Sequence, residues 1–190
     1  MIDGIWRKLR KKEVHTEKIL FEMFYHRVFK TAYFITHDRD LAQDVTQETF
    51  IKAFKNLHTL NDGKKIEAWL GTIATRTAID FLRQIKRWKD FTAEDDYNDE
   101  IGIQNESVSS VERQIVDQYI KDLLQEEILK LKPEYKQVII LKYDYELKDE
   151  EIASALQVTV GAVKTRLHRA KQKIRTSLQE HPAIRDGDII

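Results

Sequence analysis

Between Ile66 and Trp88 the sequence IEAWLGTIATRTAIDFLRQIKRW returns to the same side every three or four places. The stripe positions 66, 69, 70, 73, 74, 77, 78, 81, 82 and 85 follow the helical repeat without a miss, which a strand of period two cannot reproduce. A chain containing such a segment must bury one long helical stripe against other elements. The rest of the sequence offers helices to receive it, because two prolines and six glycines in 190 residues leave few breakers.

The first partner is predicted over Thr16 to Thr36, with Ile19, Leu20, Met23, Phe24, Val28, Tyr33 and Ile35 along it. His37-Asp38-Arg39-Asp40 interrupts the pattern and can cap a second helix, whose stripe is Leu41, Ala42, Val45, Phe50, Ala53, Phe54 and Leu57. Asn61-Asp62-Gly63 closes it. Beyond the long helix, Asp90 to Asn105 (DFTAEDDYNDEIGIQN) is acidic and lacks helical periodicity, so it reads as a linker. Further helices are predicted over Val111 to Lys132, from Pro133 to about Tyr143, Asp149 to Leu156 and Val160 to Leu178. The expected fold class is all-α, with two small helical domains joined by an acidic flexible linker.

Net charge is zero, yet its distribution is uneven. Residues 1–90 carry 18 Lys/Arg against 12 Asp/Glu, residues 91–130 carry 3 against 11, and the last 60 residues carry 11 against 9. Two basic regions therefore flank an acidic middle, a pattern suited to a polyanion partner. The absence of cysteine removes disulfides, thiolate zinc sites and cysteine nucleophiles. The six histidines (His15, His26, His37, His58, His168 and His181) form no HExxH-like pair, so no metal and no cofactor is expected. MIDGIWRKLRKKEVH is basic but lacks the apolar run of a signal peptide, and no segment is apolar enough to span a bilayer. The expectation is a cytoplasmic protein that is not itself a membrane protein.

DEEIASALQVTVGAVKTRLHRAKQKIR, from Asp149 to Arg175, has the layout of a helix-turn-helix. Ile152, Ala153 and Leu156 give the first helix an inner face, and small Ala153 permits a close crossing. Gln157-Val158-Thr159 forms the turn, and Val163, Leu167, Ala170 and Ile174 face inward from the second helix. Thr159 can cap that helix, whose opposite side presents Lys164, Thr165, Arg166, His168, Arg169 and Lys173. Val160 to Leu178 holds six basic residues and no acid. Arg and Lys donate to guanine O6 and N7 or neutralise phosphates, so this face suits a major groove, whereas the bland reading is a solvated basic face.

Three blocks carry a resemblance to a known family. DLAQDVTQETFIKAFKNL (40–57) resembles regions 2.1 to 2.2 of the extracytoplasmic-function sigma factors, in the sigma-70 family. EAWLGTIATRTAIDFLRQ (67–84) resembles their regions 2.3 to 2.4, and residues 131–175 resemble their region 4. The resemblance implies sigma region 2 over 16–90, an acidic linker over 91–112 and region 4 over 113–178; the basic extension over 1–15 and the tail over 179–190 have no counterpart in the family pattern and read as flexible termini. It implies that Asp44, Gln47, Glu48, Phe50 and Lys52 bind core RNA polymerase, although by themselves they read as a solvated helix face. It further implies that the loop at Asn61, Asp62, Lys64 and Lys65 captures a flipped base of the minus-10 element, with Arg76, Arg83, Lys86 and Arg87 holding the single strand. Thr159, Lys164, Thr165, Arg166, His168, Arg169 and Lys173 would read the duplex minus-35 element. The implied partners are core RNA polymerase, promoter DNA and an anti-sigma factor, often membrane-bound. The implied task is to direct transcription initiation in response to envelope or extracellular stress, without bond chemistry. Trp69 and Phe81 fall on the buried repeat and are expected in the core. The loop 61–65 matches no subgroup closely, and Ala74-Thr75-Arg76 stands where many relatives have Ala-Arg-Asn.

Two other readings remain open from the residues alone. An ordinary helix-turn-helix regulator would bind duplex DNA without polymerase. A helical nuclease would use Asp95, Asp96, Asp99 and Glu100 to hold metals, although these lie in the linker.

Overall fold

A computed structural model of the chain describes residues 14–60, 62–92 and 123–181. The described secondary structure is helical throughout, with no strand among the described residues. Helix α1 spans Val14–Thr36, α2 Arg39–Lys55 and α3 Ile66–Thr92, with 3-10 turns at Leu57–Thr59 and Gly63–Lys65 between the last two. Helix α4 is described over 123–129. Helix α5, Pro133–Ile139, runs into a π-helical turn at Ile140–Asp144; α6 spans Asp149–Leu156 and α7 Val160–Glu180.

The local chemistry explains several boundaries. His37 takes the left-handed conformation (φ 55°) that ends α1, and its amide donates to Tyr33 O at 2.8 Å. Asp38 then caps α2, its carboxylate accepting from Leu41 N at 2.9 Å. Pro133 begins α5, where a missing N–H costs nothing. Helix α3 continues four residues past the expected Trp88, to Thr92. The acidic stretch beyond Thr92, and the expected helix from Val111 up to residue 122, lie outside the described residues.

Helices α1, α2 and α3 close around Leu20, Val28, Phe50, Leu60, Ile66 and Leu70. Each large apolar side chain removed from water here contributes about 1.5–3 kcal/mol. Trp69 and Phe81 are partly buried at the margins of the apolar clusters, and Trp88 is 73% exposed. A second cluster runs without a break from this first unit into the second. Ala32, Ile35, Val45, Ala78 and Ile79 join Val138, Leu141, Ile152, Val163 and Leu167 in it. Apolar surface of each unit is thus covered in part by the other.

The interface uses a stripe of α3 that the single-repeat reading omits. Gly71, Thr75 and Ile79, four residues apart, are all buried and meet the second unit. Thr75 Oγ1 accepts from Gln137 Nε2 at 3.3 Å, and Gly71 lies against the ring of Tyr145.

Candidate nucleic-acid interface

Helices α6 and α7 form the expected helix-turn-helix. Gln157 adopts the left-handed conformation (φ 56°), and Val158 N donates to Ala153 O at 3.0 Å, turning the chain within three residues. Thr159 caps α7, its Oγ1 accepting from Ala162 N at 3.1 Å. That leaves the Thr159 hydroxyl its proton as a remaining donor. Val163, Leu167 and Ala170 are buried against the fold, and Ile152 and Ala153 are buried on α6. The opposite face of α7 exposes Lys164, Thr165, His168, Arg169 and Lys173, while Arg166 is half-buried.

The concentrated charge registers on its neighbours. Asp149, at the start of α6, accepts from Lys142 Nζ at 2.7 Å. That hydrogen bond, with Lys164 and Lys171 adding their positive charge, holds its carboxyl below the usual carboxylate range.

Residues expected to act on single-stranded DNA are distributed around the near side of the first unit. Arg76, Asp80 and Arg83 share one face of α3 and line a cleft of about 450 Å³. Its opposite wall is Glu134 and Gln137 of α5, the turn at Leu156 to Val158, and Arg166 of α7. Arg83 lies 3.6 Å from Glu134. Two groups of residues expected on different promoter elements are thus face to face. Lys86 and Arg87 are exposed further along α3. Asn61 lies outside the described residues. Asp62 caps the turn at Gly63–Lys65 through Lys64 N (2.9 Å), and Lys64 is exposed. Lys65 pairs with Glu151 of α6 at 2.9 Å, an ion pair that lowers the Glu151 pKa and raises that of Lys65.

On α2, Asp44 and Gln47 are exposed and Glu48 and Lys52 half-buried; Lys52 Nζ lies 3.8 Å from Glu48 and 3.3 Å from Thr77 Oγ1. Phe50 does not belong to this face. It is 2% exposed and packs 4.7 Å (centroid to centroid) from Phe21 of α1, so it holds the helix in place and offers no surface to a partner. Ile51, overlooked in the sequence, stands there instead. It is 46% exposed and lies seven, four and three residues beyond Asp44, Gln47 and Glu48 on the same side. The readable signal was an apolar residue at that spacing on a polar face.

The described residues contain no group of three or more His, Asp and Glu placed to hold a metal. The acidic cluster Asp95, Asp96, Asp99 and Glu100 lies outside them. No helix among the described residues is long and apolar enough to cross a membrane.

Fold and surface define a helical DNA-binding protein in which a three-helix unit is paired with a basic helix-turn-helix. Comparison with known proteins makes the class specific. The chain matches sigma-70 region 2 over residues 20–88 and sigma-70 region 4 over residues 121–174. It is 29% identical over 183 residues to the ECF RNA polymerase sigma factor SigW of Bacillus subtilis, covering 95% of this chain and 98% of that protein. It is 31% identical over 164 residues to the RNA polymerase sigma factor YlaC of the same organism, covering 84% and 90%. Among solved structures, the sigma factor RpoE in complex with the anti-sigma factor NepR, from Bartonella quintana, shares the fold with a TM-score of 0.65 at 20% identity. That match covers 86% of this chain and 96% of RpoE. CnrH in complex with the cytosolic domain of CnrY gives a TM-score of 0.56 at 19% identity over 92% of this chain and 95% of CnrH. The chain belongs to the extracytoplasmic-function sigma factors of the sigma-70 family. It is an alternative sigma factor, of a class of non-catalytic initiation factors that bind core RNA polymerase and promoter DNA.

Proposed function

We propose a division of labour in which residues 16–90 engage core polymerase and the melted minus-10 strand, and residues 113–178 place α7 in the duplex minus-35 groove. The acidic residues 91–112 connect the two. The observation that carries this reading is α7 itself, a capped helix whose outward face is basic along its length and whose inward face is locked by Val163, Leu167 and Ala170. A helix of that kind fits a major groove. Lys164, Arg166 and Arg169 contact base edges or phosphates, and Lys173 follows the backbone. Arg76, Arg83, Lys86 and Arg87 track the displaced strand along one side of α3, with Lys64 and Lys65 just ahead of the start of that helix. On α2, Asp44, Gln47, Glu48, Ile51 and Lys52 meet the polymerase. The chain performs no bond chemistry and works in the cytoplasm, where the polymerase is, in response to envelope or extracellular stress.

The partner that restrains it is an anti-sigma factor, and the second unit has a seat for one. Leu124, Ile128, Ile139, Tyr143, Ile174 and Leu178 line an apolar groove of about 620 Å³ rimmed by Lys171 and Arg175. Apolar walls with basic rims suit an amphipathic helix carrying acidic residues. One solved structure of this fold, RpoE, was determined with an anti-sigma factor bound. In the producing cell, Leu178→Asp should release transcription from restraint, and an unchanged repressed level would remove this groove from the account.

Filter retention of promoter fragments tests the central division. Fragments should be retained by core polymerase and this protein together, and not by either alone at the same concentration. Retention by the protein alone, with no gain from polymerase, would favour a helix-turn-helix regulator that is not a polymerase subunit.

A further inference from the structure

Three side chains of the second unit, Ile128, Ile139 and Tyr143, line two cavities at once. One is the open apolar groove of about 620 Å³ formed by α4, α5 and α7. The other is a smaller and more enclosed recess of about 230 Å³, whose wall is completed by Thr31 and Phe34 of α1 and by Ile140. Ile139 and Ile140 are 8% and 4% exposed, so the recess reaches into the apolar interior. The Thr31 hydroxyl is engaged by the Tyr145 hydroxyl at 2.8 Å. The remaining polar members of the lining, Lys30, Gln125 and Asp144, are all exposed to water.

Charge at this double cavity has one sign on the groove side. Lys171 Nζ lies 5.3 Å from the centroid of the Tyr143 ring, Arg175 follows one turn later on α7, and no acid is among the described residues that line the groove. The groove alone has the size of a small-molecule site. An α-helix with its side chains is about 10 Å across, too wide for the recess, whereas a polymethylene chain can enter it. A narrow apolar recess, a wider apolar trough and a pair of cations together complement a single-chain amphiphile with an anionic end. We propose that the two cavities form one binding site for a long-chain fatty acid. Its chain runs past Ile128 and Tyr143 into the recess, and its carboxylate is held by Lys171 and Arg175. The site does not depend on an anti-sigma helix using the same groove, so it is measured on the chain alone.

Full-length protein is titrated with cis-parinaric acid, a long-chain acid that fluoresces when its chain leaves water, and unlabelled acids below their micelle concentrations then displace it. From decanoate upward, affinity should rise about fourfold per added methylene and level off once the recess is filled. Arg175→Glu, at an exposed position, should weaken palmitate about tenfold and leave uncharged hexadecanol unaffected. Ile128→Trp, which fills the passage common to both cavities, should abolish binding of palmitate and hexadecanol alike. No fluorescence gain with the unmutated chain, or affinities that neither variant changes, would overturn the site. A rise with chain length that never levels off would place the acid on open apolar surface and overturn the recess. Equal weakening of palmitate and hexadecanol by Arg175→Glu would overturn the carboxylate assignment.

Discussion

Lys136 is 4% exposed on α5, where burial pushes its ammonium down to about 8 from an ordinary 10.5. A base with a depressed folded pKa is a liability at neutral pH. The folded chain resists binding a proton that the unfolded chain accepts, so stability rises as pH climbs from about 8 toward 10.5. A gap of that size corresponds to up to about 3 kcal/mol. Lys136→Met should therefore stabilise the protein at pH 7 by up to that amount and flatten the alkaline rise, as read by denaturant unfolding across pH. Half-buried His37 acts on the acid side, its pKa lowered to about 4 by burial and by the positive charge of Lys136. Its contribution is present above pH 6.5 and is lost as pH falls through about 4. At the DNA face, Arg166→Ala should cost about 1–3 kcal/mol in promoter binding and relax preference at one base pair. Lys173→Ala should weaken all sequences alike and reduce the salt slope by about one. Competition binding on single-base variants separates the two. Both residues were legible from the acid-free run in α7, but the half-burial of Arg166 was not, because it depends on the opposing wall of a cleft made by another unit.

Among the elements, α3 teaches most about what a sequence discloses. Its main stripe was readable because ten positions follow one repeat. The second stripe, Gly71, Thr75 and Ile79, was hidden because two of its three members are not strongly apolar and its partner lies far along the chain. The anomalies were present, in a glycine within a helix and an isoleucine off the repeat, but they point to a neighbour without naming it. Helix α2 shows the converse. Phe50 belonged both to its apolar stripe and to the resembled family's contact set, and packing against Phe21 decides for the stripe. The exposed apolar side chain on that face is Ile51, and Ile51→Glu should weaken association with core polymerase about tenfold while shifting the unfolding midpoint little, since nearly half of the residue already faces water. Fluorescence anisotropy against purified core polymerase measures this directly. The cap of α7 was legible from Thr159 alone. Thr159→Ala should destabilise the second unit by about 1 kcal/mol, seen as a lower thermal midpoint.

Across the molecule, zero net charge conceals opposite signs in successive segments, and the basic segments are those that form the two described units. The pairing of a region 2 match with a region 4 match in one short chain explains why neither unit was sufficient to identify the function. A helix-turn-helix alone describes many regulators, and a three-helix unit alone describes little. The packing of one unit on the other was the feature least visible in the sequence, since it depends on contacts more than sixty residues apart, such as Gln137 to Thr75 and Tyr145 to Thr31. Run-off transcription on a genomic fragment library, with core polymerase in the presence and absence of the full-length protein, tests the central claim most directly. The account expects start sites that arise only when the protein is added, each preceded by the same pair of upstream elements. No new start sites, while the purified protein still shifts duplex DNA by itself, would contradict it.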